Sequence, residues 1–183
     1  IWHETEWPLS QEQFHFEFLG LLAFQDPPKE NMKETIRVFH EAGISVKMIT
    51  GDYAETALAI AAQVGLNHNN KVLTGQEVLH LNMEALKEQV ADTDIYARMF
   101  PEAKLRVIDA LKENGEVVAM TGDGVNDAPA LKAAHIGIAM GERGSEVARN
   151  AAALILTDDD LGHMTDAIAI GRKIYDNLKK AIQ

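Results

Sequence analysis

One stretch, VVAMTGDGVNDAPALKAAHIGIAM at residues 117–140, restricts the fold of this chain more than any other. Val117, Val118, Ala119 and Met120 form a short apolar run with the character of a buried strand. Residues 121–127 then read TGDGVND, and Ala128, Pro129, Ala130 and Leu131 open a helix. The sequence therefore predicts strand, loop, helix. Two glycines allow close backbone approaches, Asn126 or Asp127 can cap the new helix, and Pro129 suits a first turn where no amide partner is needed. Asp123 and Asp127 are thereby expected at the carboxyl end of a strand, beside the amide-rich start of a helix. Such a place suits a hard cation bridging to a phosphoryl oxygen. For one such loop the alternative stays open that Asp127 only caps and Asp123 only turns.

The same grammar occurs upstream. Val46, Lys47, Met48 and Ile49 lead into Thr50, Gly51 and Asp52, followed by a helical segment over 53–64 that ends at Gly65. In an open α/β sheet ligands sit outside the carboxyl ends of the strands. Two strands ending in Thr-Gly-Asp would build one anionic pocket bearing hydroxyls and amides.

The stretch TGDGVNDAPALKAAHIGIAMG at 121–141, with MITGD at 48–52 and DPP at 26–28, resembles the second half of the phosphorylation domain of P-type cation-transporting ATPases, members of the haloacid-dehalogenase-like superfamily. The resemblance covers nearly the whole chain. DPP and the closing GRKIYDNLKKAI at 171–182 are most similar to the type II pumps, which include calcium and sodium/potassium transporters. One departure matters: the family's nucleophilic aspartate lies in a DKTGT motif, which this sequence does not contain.

The resemblance implies an ATP-driven pump that uses Mg²⁺ and forms and hydrolyses an aspartyl-phosphate, the nucleophile lying outside this chain. It implies Asp123 as the metal ligand, with Asp127 supporting it directly or through water. Thr50 and Gly51 would hold phosphoryl oxygens, Asn126 would donate a hydrogen bond, and Asp52 and Arg98 would lie near the nucleotide. Lys104 falls in the first turn of a helix opened by Pro101, where the dipole disfavours a cation. The segment ARMFPEAK at 97–104 is similar to the family segment whose lysine contacts phosphate; without the resemblance, Lys104 reads as an exposed helix lysine. Implied partners are ATP and the nucleotide-binding, actuator and membrane domains of a parent pump, which makes this a cytoplasmic part of a membrane protein.

Along the rest of the chain, residues 1–13 read as an irregular lead-in after an abrupt start. The alternation of Phe14, Phe16 and Phe18, continued by the apolar run to Phe24, predicts a core strand stopped by Asp26, Pro27 and Pro28. By resemblance Asp26 helps a hinge or nucleotide contacts, though a turn residue explains it equally well. A helix is expected over 29–42, a strand over 44–49, a solvated His68, helical pieces at 76–79 and 82–90, a strand at 95–97 and a helix over 101–112. Beyond the central motif come a strand at 136–139, a turn at 141–144, a short helix at 145–151 and a strand at 153–157. Asp158, Asp159 and Asp160 invite a metal reading but favour the start of the helix from Leu161. That helix, 161–183, carries a stripe of Met164, Ile168, Ile174, Leu178 and Ile182 and in the family continues toward the stalk and membrane.

This alternation predicts a single α/β domain over 1–183, doubly wound around a mostly parallel sheet, Rossmann-like and haloacid-dehalogenase-like, lacking the strand that carries the nucleophile. In the family that strand lies between those ending at Thr50 and Thr121, so the sheet should show an open slot there or a neighbouring chain filling it. A formal net charge of -11 argues against nucleic acid as a partner. Without cysteine there is no disulfide framework, and no run reaches the ~18 apolar residues that cross a bilayer. Two other classes stay open: a free-standing phosphatase of the same superfamily, and an inert module that binds Mg²⁺ or a regulatory partner.

Overall fold

The computed structural model describes residues 10, 16–22, 27–66 and 69–182. Strands and helices alternate as α1 (Met32–Glu41), β1 (Met48–Ile49), α2 (Ala54–Val64), β2 (Val72–Thr74), α3 (Gly75–His80), α4 (Met83–Asp92), β3 (Ile95–Ala97), α5 (Pro101–Glu113), β4 (Ala119–Gly122), α6 (Ala128–Ala133), β5 (Ile136–Met140), α7 (Glu146–Ala151), β6 (Leu154–Leu156) and α8 (Gly162–Ile182). Every strand pair among the described residues is parallel. Among the described residues the strands form two three-stranded sheets, ordered β1-β3-β2 and β4-β5-β6, with no ladder between β1 and β4. These are the strands that end at Thr50 and at the second Thr-Gly-Asp, so the sheet divides where the slot was expected.

Burial explains the layering. In β3 the side chains of Ile95 and Ala97 enter one core cluster with Ile36, Ala57, Ala61 and Val64, contributed by α1 and α2. Tyr96 points the other way, into a larger cluster. That alternation is the period of a strand covered on both faces. The larger cluster is organised by α5, whose Ala103, Val107, Ile108, Ala110 and Leu111 meet Leu86 and Val90 of α4, Met120 of β4 and Leu131 of α6. Each of its large aliphatic side chains contributes about 1.5–3 kcal/mol by leaving water. Ile49 of β1 packs against this cluster too, so both unpaired edges stand over one core. Burial pushes the Tyr96 phenol above its ordinary range, and its hydroxyl donates to the Thr93 carbonyl at 3.1 Å.

Several expectations are corrected. Residues 16–22 form neither helix nor strand, and Phe16, Phe18, Leu19, Leu21 and Leu22 are exposed. Among the described residues no strand runs beside them to accept a ladder, so alternation alone did not make one. Phe14, Phe24, Asp26 and His68 lie outside the described residues, as does most of the 1–13 lead-in. Strand β1 covers only Met48–Ile49 because β3, its sole partner among the described residues, begins opposite Met48. Strand β4 starts at Ala119 and runs on through Gly122, paired with Ala139; Val117 is left exposed. Strand β2 was not foreseen, its Val72–Thr74 being too short for a period to show. Helix α8 has no buried residue: Met164 and Ile168 are half-buried, while Ile174, Leu178 and Ile182 are exposed. Among the described residues, no helix is long and apolar enough to cross a membrane.

Candidate active site

The loop after β4 gives its two carboxylates different environments. Asp127 closes a single 3₁₀ turn, Val125–Asp127, and its side chain makes no cap bond to α6. It folds back instead. Oδ2 accepts from the Gly124 N–H at 3.2 Å and, more loosely, from the Asp123 N–H at 3.4 Å. Oδ1 accepts from Lys104 Nζ at 2.6 Å. Both side chains are nearly dry, at 14% exposure for Lys104 and 11% for Asp127. Gly122 makes room for this: a Cβ there would lie 2.6 Å from the Asp127 Cβ. The pair also explains why a cation sits in the first turn of α5, since a carboxylate in contact offsets the unfavourable dipole.

Asp123 is the opposite case. Its side chain is exposed, and no hydrogen bond or ion pair reaches its carboxylate among the described residues. Its backbone is fixed on both sides, the N–H facing Asp127 and the C=O accepting from the Ser145 N–H at 2.7 Å. Asn126 is exposed beside it.

At the end of β1, Thr50 is laced to β3: its N–H donates to the Tyr96 carbonyl and its C=O accepts from the Met99 N–H, both at 2.9 Å. Its Oγ1 accepts from the Asp52 N–H at 3.1 Å, which closes the turn around Gly51. Gly51 and Asp52 are exposed. Arg98 follows β3 with φ 51, its N–H donates to the Asp52 carbonyl at 2.9 Å, and its guanidinium lies 4.6 Å from the Tyr53 ring centroid. The structure thus gathers Thr50, Gly51, Asp52 and Arg98 at one strand end, and Lys104, Asp123, Asn126 and Asp127 at the other.

The donor set fits Mg²⁺ in a particular way. Among the described residues no group of three or more His, Asp or Glu could cage a metal. One free carboxylate beside exposed backbone and a second already committed to Lys104 suits an ion that keeps waters and completes its shell with phosphate oxygens. The acidic run is otherwise engaged. Asp158 Oδ2 pairs with His163 Nε2 at 2.8 Å, which holds the Asp158 carboxyl low and raises His163. Asp160 Oδ1 accepts from the Gly162 N–H at 2.8 Å, the expected cap of α8, and from Asn31; these contacts hold it low as well. Asp159 turns to the amides of Glu142 and Arg143. That role, the Ser145 contact and the carbonyls of Gly141 and Gly144 that accept from Arg149 were missed, because nothing local in three consecutive aspartates tells which one caps and which one reaches back.

The two parallel half-sheets agree with a family match over residues 7–135 to the haloacid dehalogenase-like hydrolases. The chain belongs to that family. More narrowly, it is similar to cation pumps: 47% identical over 181 residues to calcium-transporting ATPase 1 of Lactococcus lactis, covering 98% of this chain and 20% of the relative. It is 47% identical over 167 residues to human calcium-transporting ATPase type 2C member 2, covering 91% and 18%, and 51% identical over 168 residues to a probable cation-transporting ATPase F of Mycobacterium tuberculosis, covering 89% and 19%. The chain spans about a fifth of the length of these curated relatives. Among solved structures it resembles a zinc-transporting PIB-type ATPase in its E2.Pi state, with TM-score 0.66, 29% identity, and coverage of 85% of this chain and 21% of that one. The catalytic domain of the CPx-ATPase CopB-B gives TM-score 0.59 at 28% identity, covering 77% and 45%.

Proposed function

We propose that this chain is the carboxyl-terminal part of the phosphorylation domain of an ATP-driven cation pump, in which phosphate passes from ATP to an aspartate carried outside the chain and then to water. The observation that carries this reading is the pairing of a free Asp123 carboxylate with a largely buried Lys104–Asp127 ion pair at the end of β4. The edges of β1 and β4, unpaired among the described residues, support this reading, since the backbone of a strand bearing the nucleophile would satisfy both ladders.

In this reading the nucleophile's carboxylate oxygen bonds to the γ-phosphorus as the bond to the β-phosphate oxygen breaks and ADP leaves; water later cleaves the acyl-phosphate to inorganic phosphate. When bound, Mg²⁺ supplies positive charge against the phosphoryl oxygens. Asp123 holds that ion. Lys104, fixed by Asp127, faces the developing negative charge, while the Thr50 hydroxyl, the Gly51 amide and Asn126 donate to phosphoryl oxygens. Asp52 and Arg98, steadied by Tyr53, stand on the nucleotide side. The transferring step thus rests on positioning and electrostatics.

A Mg²⁺ titration with and without inorganic phosphate, followed by amide NMR, tests this. Shifts should centre on residues 121–127 and 50–51, tighten with phosphate, and vanish in Asp123→Ala. Unchanged shifts in that variant would overturn the assignment. With labelled ATP and Mg²⁺ the chain alone should acquire no acid-stable, hydroxylamine-labile label, because it contains no DKTGT motif.

A further inference from the structure

Asp159 has features that capping α8 does not require. It is one of three non-glycine residues with positive φ among the described residues, at 55°, a conformation that costs energy and persists where the surroundings over-determine it. Its side chain is buried at 7% exposure, and its two oxygens are spent on one turn: Oδ1 accepts from the Glu142 N–H at 3.1 Å and Oδ2 from the Arg143 N–H at 3.0 Å. Burial acts to raise this carboxyl, but the amides of Arg143, Glu142 and Gly141, helped by Lys29, outweigh it and hold the group below the usual carboxylate range. Asp159 is therefore an anion at neutral pH.

The turn it holds, between β5 and α7, is gripped from the other side as well. Arg149 of α7 donates to the carbonyls of Gly141 at 2.9 Å and Gly144 at 2.7 Å. A Cβ at Gly144 would fall 1.9 Å from the Met140 carbonyl oxygen, so this turn has no slack. It delivers Ser145, whose side chain caps α7 through the Ala148 N–H and whose own N–H donates to the Asp123 carbonyl at 2.7 Å. On its far side, the Asp159 carbonyl accepts from Lys29 Nζ at 2.8 Å just before α1, and Asp160 holds Asn31.

We propose that Asp159 is a positioning residue for Asp123. By clamping the 141–144 turn it fixes Ser145, and the Ser145 N–H fixes the backbone from which the Asp123 carboxylate projects. The inference rests on Asp123 being the Mg²⁺ ligand. Through the Asp159 carbonyl and the Asp160 carboxylate, the residues just before α1 and the head of α8 are tied to the same segment.

The test uses this chain, Mg²⁺ alone as probe, and amide NMR with thermal melting alongside. Asp159→Gly removes the acceptors yet suits the positive φ, while Asp159→Asn keeps an acceptor and tolerates that φ. Asp159→Gly should weaken Mg²⁺ binding about tenfold, the lower end of the range for residues behind metal ligands, and speed hydrogen exchange at the Ser145 amide. Asp159→Asn should recover at least half of the loss on a logarithmic scale. Binding within twofold of wild type in Asp159→Gly, whatever its melting temperature, overturns the proposal while Asp123→Ala still abolishes the shifts. If Asp123→Ala instead leaves the shifts intact, the metal assignment itself has failed, and Ser145 exchange decides whether Asp159 holds the loop. Should Asp159→Gly not fold, Asp159→Asn carries the test: both readouts must move the same way by a smaller factor, and unchanged values overturn the proposal.

Discussion

The two Thr-Gly-Asp strand ends share their first three residues and little of their chemistry. After β1, Asp52 is exposed, and the contacts that shape the turn are made by backbone groups and the Thr50 hydroxyl. After β4, a second aspartate four residues on turns inward and takes Lys104 from another helix, leaving the first aspartate exposed and free. What separates a turn from a candidate metal loop is thus a partner supplied across the core by α5. The tripeptide itself does not distinguish them.

Removing the inward aspartate should break this contrast most severely. Asp127→Ala leaves the Lys104 ammonium buried without its partner and should cost about 3–5 kcal/mol in urea unfolding, whereas Asp52→Ala should change stability by less than about 0.5 kcal/mol. A Lys104→Met, Asp127→Leu double variant should recover much of the loss, because an apolar pair of similar volume needs no desolvation. Equal effects of the Asp127 and Asp52 substitutions would show that the two loops are equivalent after all.

The glycines sharpen the comparison at smaller scale. A methyl at Gly122 would meet the Asp127 Cβ at 2.6 Å, so Gly122→Ala should cost about 1–3 kcal/mol by overpacking. At Gly51 the nearest atom to an added Cβ is the Met99 carbonyl oxygen at 4.0 Å, an ordinary contact, and Gly51→Ala should be close to neutral by the same measurement.

The smallest effect is expected from the exposed counterpart of the buried pair, His163 with Asp158 at the head of α8. His163 is raised by its hydrogen bond to Asp158, with Asp160 and Asp166 adding to it, so its stabilisation is complete below its ordinary pKa of about 6.5 and fades as pH rises through the raised value. Asp158 is lowered, chiefly by His163, so its share is present above the ordinary carboxylate range and fades as pH falls through the lowered value. His163→Ala should therefore shift the urea midpoint slightly at pH 5.5 and leave it unmoved at pH 8.5. A shift of equal size at both pH values would show that packing, and not charge, is lost.

Elements whose identity rests on neighbours in sequence were legible in advance. The period of Ile36 and Phe39, the proline opening α5, the glycine closing α2 and the serine heading α7 act within a turn or two of chain, and the structure has each where the sequence put it. The repeated Thr-Gly-Asp at two strand ends was legible for the same reason, whereas the division of the sheet between them was expected only from the family resemblance. Strand length was not, because a strand exists only where another lies beside it: residues 16–22 have the alternation but form no ladder among the described residues, while Val72–Thr74 has little alternation and pairs with β3. Only the tertiary structure decided which carboxylate is buried and which is free. The partners of Asp127 and Asp159 come from elements 23 and 16–17 residues away along the chain, and a short polar side chain commits to whichever donor the packed core brings within about 3 Å.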